Sequence, residues 1–364
     1  MSYSFQEKFT LIPQSPLIHF QWDQSGAALR ATEVKPKLDR YIIKRYGKTL
    51  PDAWVNKKSP NALNYKLRFS VEGTPDPIKL GRKTDYDIYF ANMNDQKESN
   101  KENEKRGILA NNTMTVICFD DDLMKYIHEI IGDFFVVSNF GTMQDKGFGC
   151  FIVQDYKHSD IEIANLLRQE YGAKACYTFS VTSQKFIFRN IKTVHNILKA
   201  GNAFSPKVNS LLFEYFKDKN RIKLKSEKEW LHKRAKASES AYIRALMGIS
   251  DHMGPVNRPT KISDANTDKD TRIERVPSPI WFIVYENKVF FVGRRIPDNL
   301  YGAKFNFESK DRKLNSGQLS VPSINDVGVD FIDRYLNYAV KRLQDLYFDR
   351  KLKFRVTEVK KHGK

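Results

Sequence analysis

The order in which apolar patterns follow one another constrains this chain more than any single motif. "FTLIPQSPLIHF" reads as a strand that ends near Pro16. In "GAALRATEVKPKLDRYIIKRYG", Leu38, Ile42 and Tyr46 lie four apart and Gly47 supplies a stop, so at least the second half is helical. Pro36 is tolerated only near the first turn of that helix. "NYKLRFSVEG" is a second strand, and "DYDIYFANM" is a third or its extension. "NDQKESNKENEKRG" has no apolar side chain and reads as a mobile loop or disordered insertion. "TMTVICF" is again a strand. "DDDLMKYIHEIIG" is a short helix opened by acids and closed by Gly132, and "GCFIVQDY" is a strand. Counting "DYDIYF" and "TMTVICF" as one interrupted strand region gives strand, helix, two strands, helix, strand.

The second half repeats this order. "ACYTFSV" and "KFIFRNI" read as strands. The helices are "VHNILKAG", "PKVNSLLFEYFKDKN" and the basic "SEKEWLHKRAKASESAYIRALMG". A polar, proline-bearing linker covers about 251–275. "PIWFIVYENKVFFVGR" is a hairpin turning at Glu286-Asn287. A long helix, "DFIDRYLNYAVKRLQDLYF", puts Phe331, Tyr335, Ala339, Leu343 and Leu346 on one face, and "KLKFRVTEV" is a closing strand. The expected fold is α+β: two ferredoxin-like (RRM-like) βαββαβ domains, residues 1–157 and 158–364. The second carries a helical insert at about 192–250.

A chain of 364 residues is long enough for two such units. Its 61 Lys and Arg against 43 Asp and Glu give a formal charge of +18, which favours a polyanionic partner, either nucleic acid or an anionic membrane. No apolar run approaches the length of a membrane span, and "MSYSFQEKFTLIPQSP" has no signal-peptide core. Cys118, Cys150 and Cys176 are spaced too widely for a zinc ribbon and read as reduced core residues. The expectation is a cytoplasmic protein with no metal and no cofactor.

The stretch "SNFGTMQDKGFGCFIV" places Gly141, Gly147 and Gly149 between the second helix and the last strand of the first unit. A mononucleotide P-loop needs G-K-[ST] opening a helix, and a dinucleotide fingerprint needs a strand before the loop and a helix after it. Neither order is present. Two readings remain open. One is a plain turn with a bulge entering the strand. In the other, a pliant backbone turns its N–H groups toward phosphate. Lys146 would then add charge, and Phe148 would stack on a base or anchor the loop.

"FGTMQDKGFGCF" resembles the C-terminal glycine-rich loop of the RAMP superfamily, the repeat-associated mysterious proteins of CRISPR systems. "SGAALRATEVKPKLDRYI" is similar to that family's small-and-basic helix entry. "RIERVPSPIWFIV" resembles a segment in the second unit of the Cmr-type subunit that caps type III-B effector complexes. The resemblance implies ferredoxin-like units and a non-catalytic subunit of an antiviral ribonucleoprotein. Its partners would be RNA (the guide and, in one version, the target) and other CRISPR-associated subunits, with no membrane. It would grip the RNA backbone.

The candidate contacts follow. Arg30, Lys35, Lys37, Arg40 and Lys44 crowd the first helix, with Lys37, Arg40 and Lys44 at helical spacing. Gly141, Lys146, Gly147, Phe148 and Gly149 come from the loop, and Arg294 and Arg295 follow the hairpin. Trp281 and Phe282 offer a stacking face, but strand alternation makes one of them core. Lys233, Arg234, Lys236 and Arg244 on the insert, and Lys360 and Lys361 in the tail, extend the basic surface. Asp120, Asp121 and Asp122 are explained by helix capping without a metal. The competing reading is a metal-independent endoribonuclease that processes CRISPR RNA, as in enzymes of this superfamily. His19, with Tyr41 or Lys44, would serve as acid and base. His128 lies on a helix already accounted for by packing, and His195 and His232 are helix-borne with no visible partner at ligand spacing.

Overall fold

A computed structural model describes residues 5–18, 29–71, 77–81, 84–86, 106–202, 207–218, 224–253, 259–268 and 270–361. Its first sheet contains β1 (Gln6–Pro13), β2 (Tyr65–Val71), β3 (Asn112–Cys118) and β4 (Phe151–Val153). The strands lie in the order β2-β3-β1-β4, and every pairing is antiparallel. β3 alternates strictly, with Asn112, Met114, Val116 and Cys118 buried, so one face of the sheet meets the core. Two helices complete this core, α1 (Ala31–Tyr46) and α2 (Asp121–Val137). Val34, Leu38 and Ile42 give α1 its buried stripe. The helix starts earlier than its periodicity alone suggests. Pro36 therefore sits in the second turn, where it withholds the N–H that would reach Thr32.

α2 opens as the acids require: the Asp120 carboxylate accepts from the Leu123 amide at 2.9 Å. It does not close at Gly132. The helix runs on to Val137, and Gly132 is interior because the Tyr156 ring lies against it. A Cβ there would come within 2.4 Å of that ring.

The second sheet contains β5 (Cys176–Ser180), β6 (Ile280–Tyr285), β7 (Lys288–Gly293) and β8 (Thr357–Glu358), in the order β6-β7-β5-β8 and again antiparallel. The expected strand at "KFIFRNI" is instead the start of a helix. With α3 being Asp160–Tyr171, this next helix is α4, Ile187–Lys199. Ile187, Phe188, Ile191, Val194, Ile197 and Leu198 are buried at spacings of three and four, so the helical period prevails over a β-prone composition. α5 is Leu211–Asp218 and α6 is Phe331–Phe348. The basic segment after α5 keeps only one turn of α-helix, Glu227–Leu231. The closing strand is reduced to Thr357–Glu358. The expected linker supplies Thr260–Asp264 to a separate four-stranded sheet, with His252–Met253, Lys304–Ser309 and Gly317–Ser320. Most of "DYDIYFANM" and of the polar run after it lies outside the described residues.

All six residues of β6 are buried because its sheet is covered on both faces. Trp281, Ile283 and Tyr285 share a core with α2 and α3, while Ile280, Phe282 and Val284 share the other with α4 and α6. α3 is absent from the expected order of elements, although its capping box of Ser159 and Glu162 and its left-handed Gly172 are visible as sequence signals. It packs on α2 and on β5 and β7, so the two sheets share apolar contacts across a common seam.

Candidate nucleic-acid interface

The glycine loop lies on that seam. Gly141, Gly147 and Gly149 have φ of 74°, 76° and 66°, the left-handed region that favours glycine. A Cβ on Gly149 would stand 1.9 Å from the Phe140 carbonyl oxygen, and one on Gly141 would stand 2.5 Å from that of Ile18. Their amides are taken inside the protein. Gly141 donates to Glu33 Oε1 at 2.8 Å, Gly147 to the Gln144 carbonyl at 3.2 Å and Gly149 to the Pro16 carbonyl at 2.9 Å. Phe148 is fully buried, with its ring 4.2 Å from that of Phe188. The stacking role of Phe148 and the phosphate-facing role of the three glycine amides are thereby corrected. Gly141 and Gly149 are needed where another stretch of backbone passes close by, and Gly147 where the Ile191 and Val284 side chains close in.

The far limb of the loop joins the edge of the second sheet. The Phe282 amide donates to the Asp145 carbonyl at 3.2 Å, and Lys146 bridges Phe282 in parallel. Asn139, which carries no motif in the sequence, anchors this joint. Its Nδ2 donates to the carbonyls of Gln144 and Phe282 at 2.5 and 2.9 Å, and its Oδ1 accepts from the Cys150 thiol at 3.0 Å. Lys146 turns toward α4: its Nζ lies 3.2 Å from Asp145 and 2.9 Å from His195 Nε2. Burial, then the charges of Lys146 and Lys199, hold the His195 pKa well below the usual histidine value. The imidazole is therefore neutral and accepts from the ammonium. His195 thus has a partner that its sequence context does not reveal.

The α1 cations separate into two groups. Lys35 turns inward, donating to Asp39 at 2.8 Å and to the Leu63 carbonyl at 2.9 Å, over the Tyr65 ring. Lys37 donates to Glu33 Oε1 at 3.2 Å, the Asn139 carbonyl at 2.7 Å and Gln144 Oε1 at 2.9 Å. Burial lowers its pKa, and Glu33 pulls the other way. Arg40 is exposed and has no side-chain ion pair among the described residues. Lys44 is half exposed beside Glu170, at 3.1 Å. Arg30 is exposed at the N-cap of α1.

Lys37, Arg40 and Lys44 line one cleft of about 330 Å³ with Tyr41, Gln144 and the Trp281–Tyr171 pair. Arg294 belongs to the same surface, with its guanidinium 4.7 Å from the Trp281 ring and 5.8 Å from that of Tyr171. Arg295 points elsewhere and pairs with Asp298 at 2.7 Å. Trp281 and Phe282 are both buried, on opposite faces of β6, and only Trp281 reaches the cleft. The Tyr41 hydroxyl, also in the lining, has no hydrogen-bond partner among the described residues. Burial raises its pKa well above the ordinary value, so it stays a neutral donor.

Residues 4–202 match the family model described as the Cmr1 N-terminal domain, and residues 207–361 match the one described as the Cmr1 C-terminal domain. The chain belongs to the Cmr1 family. The resemblance to RAMP proteins of the Cmr type, drawn from three short segments, therefore holds. The Cmr1 crystal structure from Pyrococcus furiosus, in its apo form, is 10% identical and covers 98% of this chain and 99% of that one, with a TM-score of 0.42. A chain in the cryo-EM structure of a type III-B Cmr-beta complex bound to cognate target RNA is 11% identical, with a TM-score of 0.28. That match covers 42% of this chain and spans 59% of the other. Both likenesses are low, and membership of the family rests on the two family models. A search of curated protein sequences returned no match.

The remaining described candidate residues of this Cmr1-family chain lie away from the cleft or are already engaged. His19 lies outside the described residues. Asp120 is occupied as a cap and also accepts from Trp54 Nε1 at 3.1 Å. No group of three His, Cys, Asp or Glu side chains is arranged for a metal among the described residues. Cys118, Cys150 and Cys176 are buried and free, and burial pushes the Cys150 and Cys176 thiols up to about 12. No described helix is long and apolar enough to cross a membrane.

Proposed function

We propose that this Cmr1-family chain is an RNA-binding, non-catalytic subunit of a type III-B CRISPR effector complex, working with other subunits of that assembly. It grips the backbone of guide or target RNA. The observation that carries this reading is one cleft lined by Arg40 and Lys44 of α1, with Arg294 stacked on its Trp281 wall, beside the partly engaged Lys37. Cations in a row meet phosphates without reading bases, which gives affinity and register but little sequence preference. Arg30 and Arg295 lie at the surface and serve as outlying contacts. The loop acts at one remove: the Gly141 carbonyl accepts from Gln144 Nε2, the Gly147 amide donates to the Gln144 carbonyl, and Gln144 Oε1 accepts from Lys37 in the cleft wall.

Both units are read as ferredoxin-like, divided near residue 157. In each, the second, third, first and fourth strands of the unit lie side by side in that order, which supports the reading.

Fluorescence anisotropy with a single-stranded ribo-oligonucleotide tests the proposal. Reversing Arg40, Lys44 and Arg294 to Glu is expected to weaken binding at least ~10-fold and to make its salt dependence shallower. Unchanged affinity in a folded variant would overturn it.

A further inference from the structure

A second concavity, of about 470 Å³, lies in the region inserted between β5 and β6. Lys207, Lys217, Lys228 and Arg234 line it, and all four are exposed. None of the four side chains has an ion pair among the described residues. The acids of the lining are already engaged. Glu229 accepts from the amide and hydroxyl of Ser226 at 3.0 and 3.1 Å, and Glu214 lies 3.9 Å from Arg342. Phe213, half-buried, supplies an aromatic surface to the lining.

Hydrogen bonds tie the described walls together. Asn202 and Val208 exchange backbone hydrogen bonds at 2.7 and 2.9 Å. Gly201 has φ of 83°, and a Cβ there would stand 2.8 Å from the Ser210 amide and the Val208 carbonyl, so the chain closes tightly at that corner. Ser210 ties the two helices together, with its hydroxyl donating to the Lys199 carbonyl at 3.0 Å and accepting from the Phe213 amide at 3.3 Å. Lys233 holds a positive φ of 58°, uncommon outside glycine, where the chain turns into Arg234. Glu229 and Glu214 keep their negative charge beside these cations, and Lys217 is among the charges that hold the Glu229 pKa down, so four cations against two carboxylates leave the hollow with an excess of positive charge. The volume admits a nucleotide-sized group and is far too small for a duplex.

We propose that this hollow is a second nucleic-acid site, which seats one nucleotide of single-stranded RNA. Its flanking phosphates meet Lys207, Lys217, Lys228 and Arg234, and its base lies against Phe213. The proposal rests on the RNA-binding reading above and extends the strand's path beyond the seam cleft. Phosphate contact and aromatic stacking together tolerate any sequence.

The test uses the full chain and a single-stranded ribo-oligonucleotide containing 4-thiouridine. Photocrosslinking followed by peptide mass spectrometry should find RNA attached within 207–218. The variant Lys207→Glu/Lys228→Glu/Arg234→Glu should lose that crosslink and bind ~10-fold more weakly. Its log–log salt slope should be shallower by about 2, at roughly 0.7 for each phosphate of a single strand that is no longer neutralised. All three positions are exposed, so the thermal melt should match that of the parent. If this variant crosslinks and binds as before while the Arg40, Lys44 and Arg294 reversals abolish binding, the second site is wrong and the first reading stands. If neither set of reversals changes binding, both fall. A 5′-mononucleotide that removes the 207–218 crosslink as efficiently as the oligonucleotide would overturn the strand assignment in favour of a free-nucleotide pocket.

Discussion

The glycine loop and the outer row of α1 border the same cleft and spend their polar groups in opposite ways. In the loop, the glycine amides and the Lys146 ammonium are taken by protein partners. On α1, Arg40 keeps its guanidinium in solvent, and Lys44 is half exposed with a single acidic neighbour. Richness in glycine and lysine therefore does not identify a ligand contact. A count of which donors are already satisfied does, because a donor with a protein partner gains little from a phosphate.

The sharpest way to break this contrast is to damage each region and separate folding from binding. Phe148→Ala should cost about 3–5 kcal/mol in a denaturant melt, as for any fully buried phenylalanine, and whatever remains folded should bind RNA normally. A large loss of affinity with little loss of stability would return Phe148 to the ligand-contacting class. Arg40→Glu/Lys44→Glu should do the reverse. Its melt should stay within about 0.5 kcal/mol of the parent, with an affinity loss of ~10-fold. Lys37 sits between the two classes. Lys37→Met removes three hydrogen bonds while leaving Glu33 in place, and should cost about 1–3 kcal/mol together with a modest loss of affinity.

Acidity probes the joint between loop and α4. The folded pKa of His195 is depressed, so below about pH 6.5 the unfolded chain binds a proton that the folded one refuses. Stability should fall as pH drops through that window. Lys199 donates to the Gly248 carbonyl at 2.7 Å, yet burial, then Lys146 and Arg244, bring its pKa down to about 7. Its contribution has the same sign: stability should rise between pH 7 and 10.5. Melts of His195→Asn and Lys199→Met should each flatten the corresponding limb, and an unchanged pH profile would count against buried cations at this joint. The smallest effect is expected at Arg295, already paired with Asp298. Arg295→Ala should change RNA affinity by no more than about twofold, well below the loss for Arg294→Ala.

Several parts of this picture are legible from residues alone. The Leu38 and Ile42 part of the α1 stripe, the Asp120 cap and the hairpin turning at Glu286, with φ of 52°, are local consequences of side-chain shape and hydrogen-bonding chemistry. α3 escapes a sequence reading although its capping box is present, because the periodicity of a half-buried twelve-residue helix is weak. α4 reads as a strand because Ile, Phe and Val suit either element, and only the sheet beside it selects the helix. The inward turn of Lys35 and the pairing of Lys146 with His195 depend on residues distant in sequence.

Sequence alone determined the order of most elements, the excess of positive charge and the turns at Gly47 and at Glu286-Asn287. Each of these follows from the covalent chemistry of a residue and its near neighbours. Only the tertiary structure decided which cations stay free and which are consumed, and where Trp281 and Arg294 meet α1. Those outcomes depend on packing and desolvation across the seam between two sheets, where partners far apart in the chain compete for the same donors.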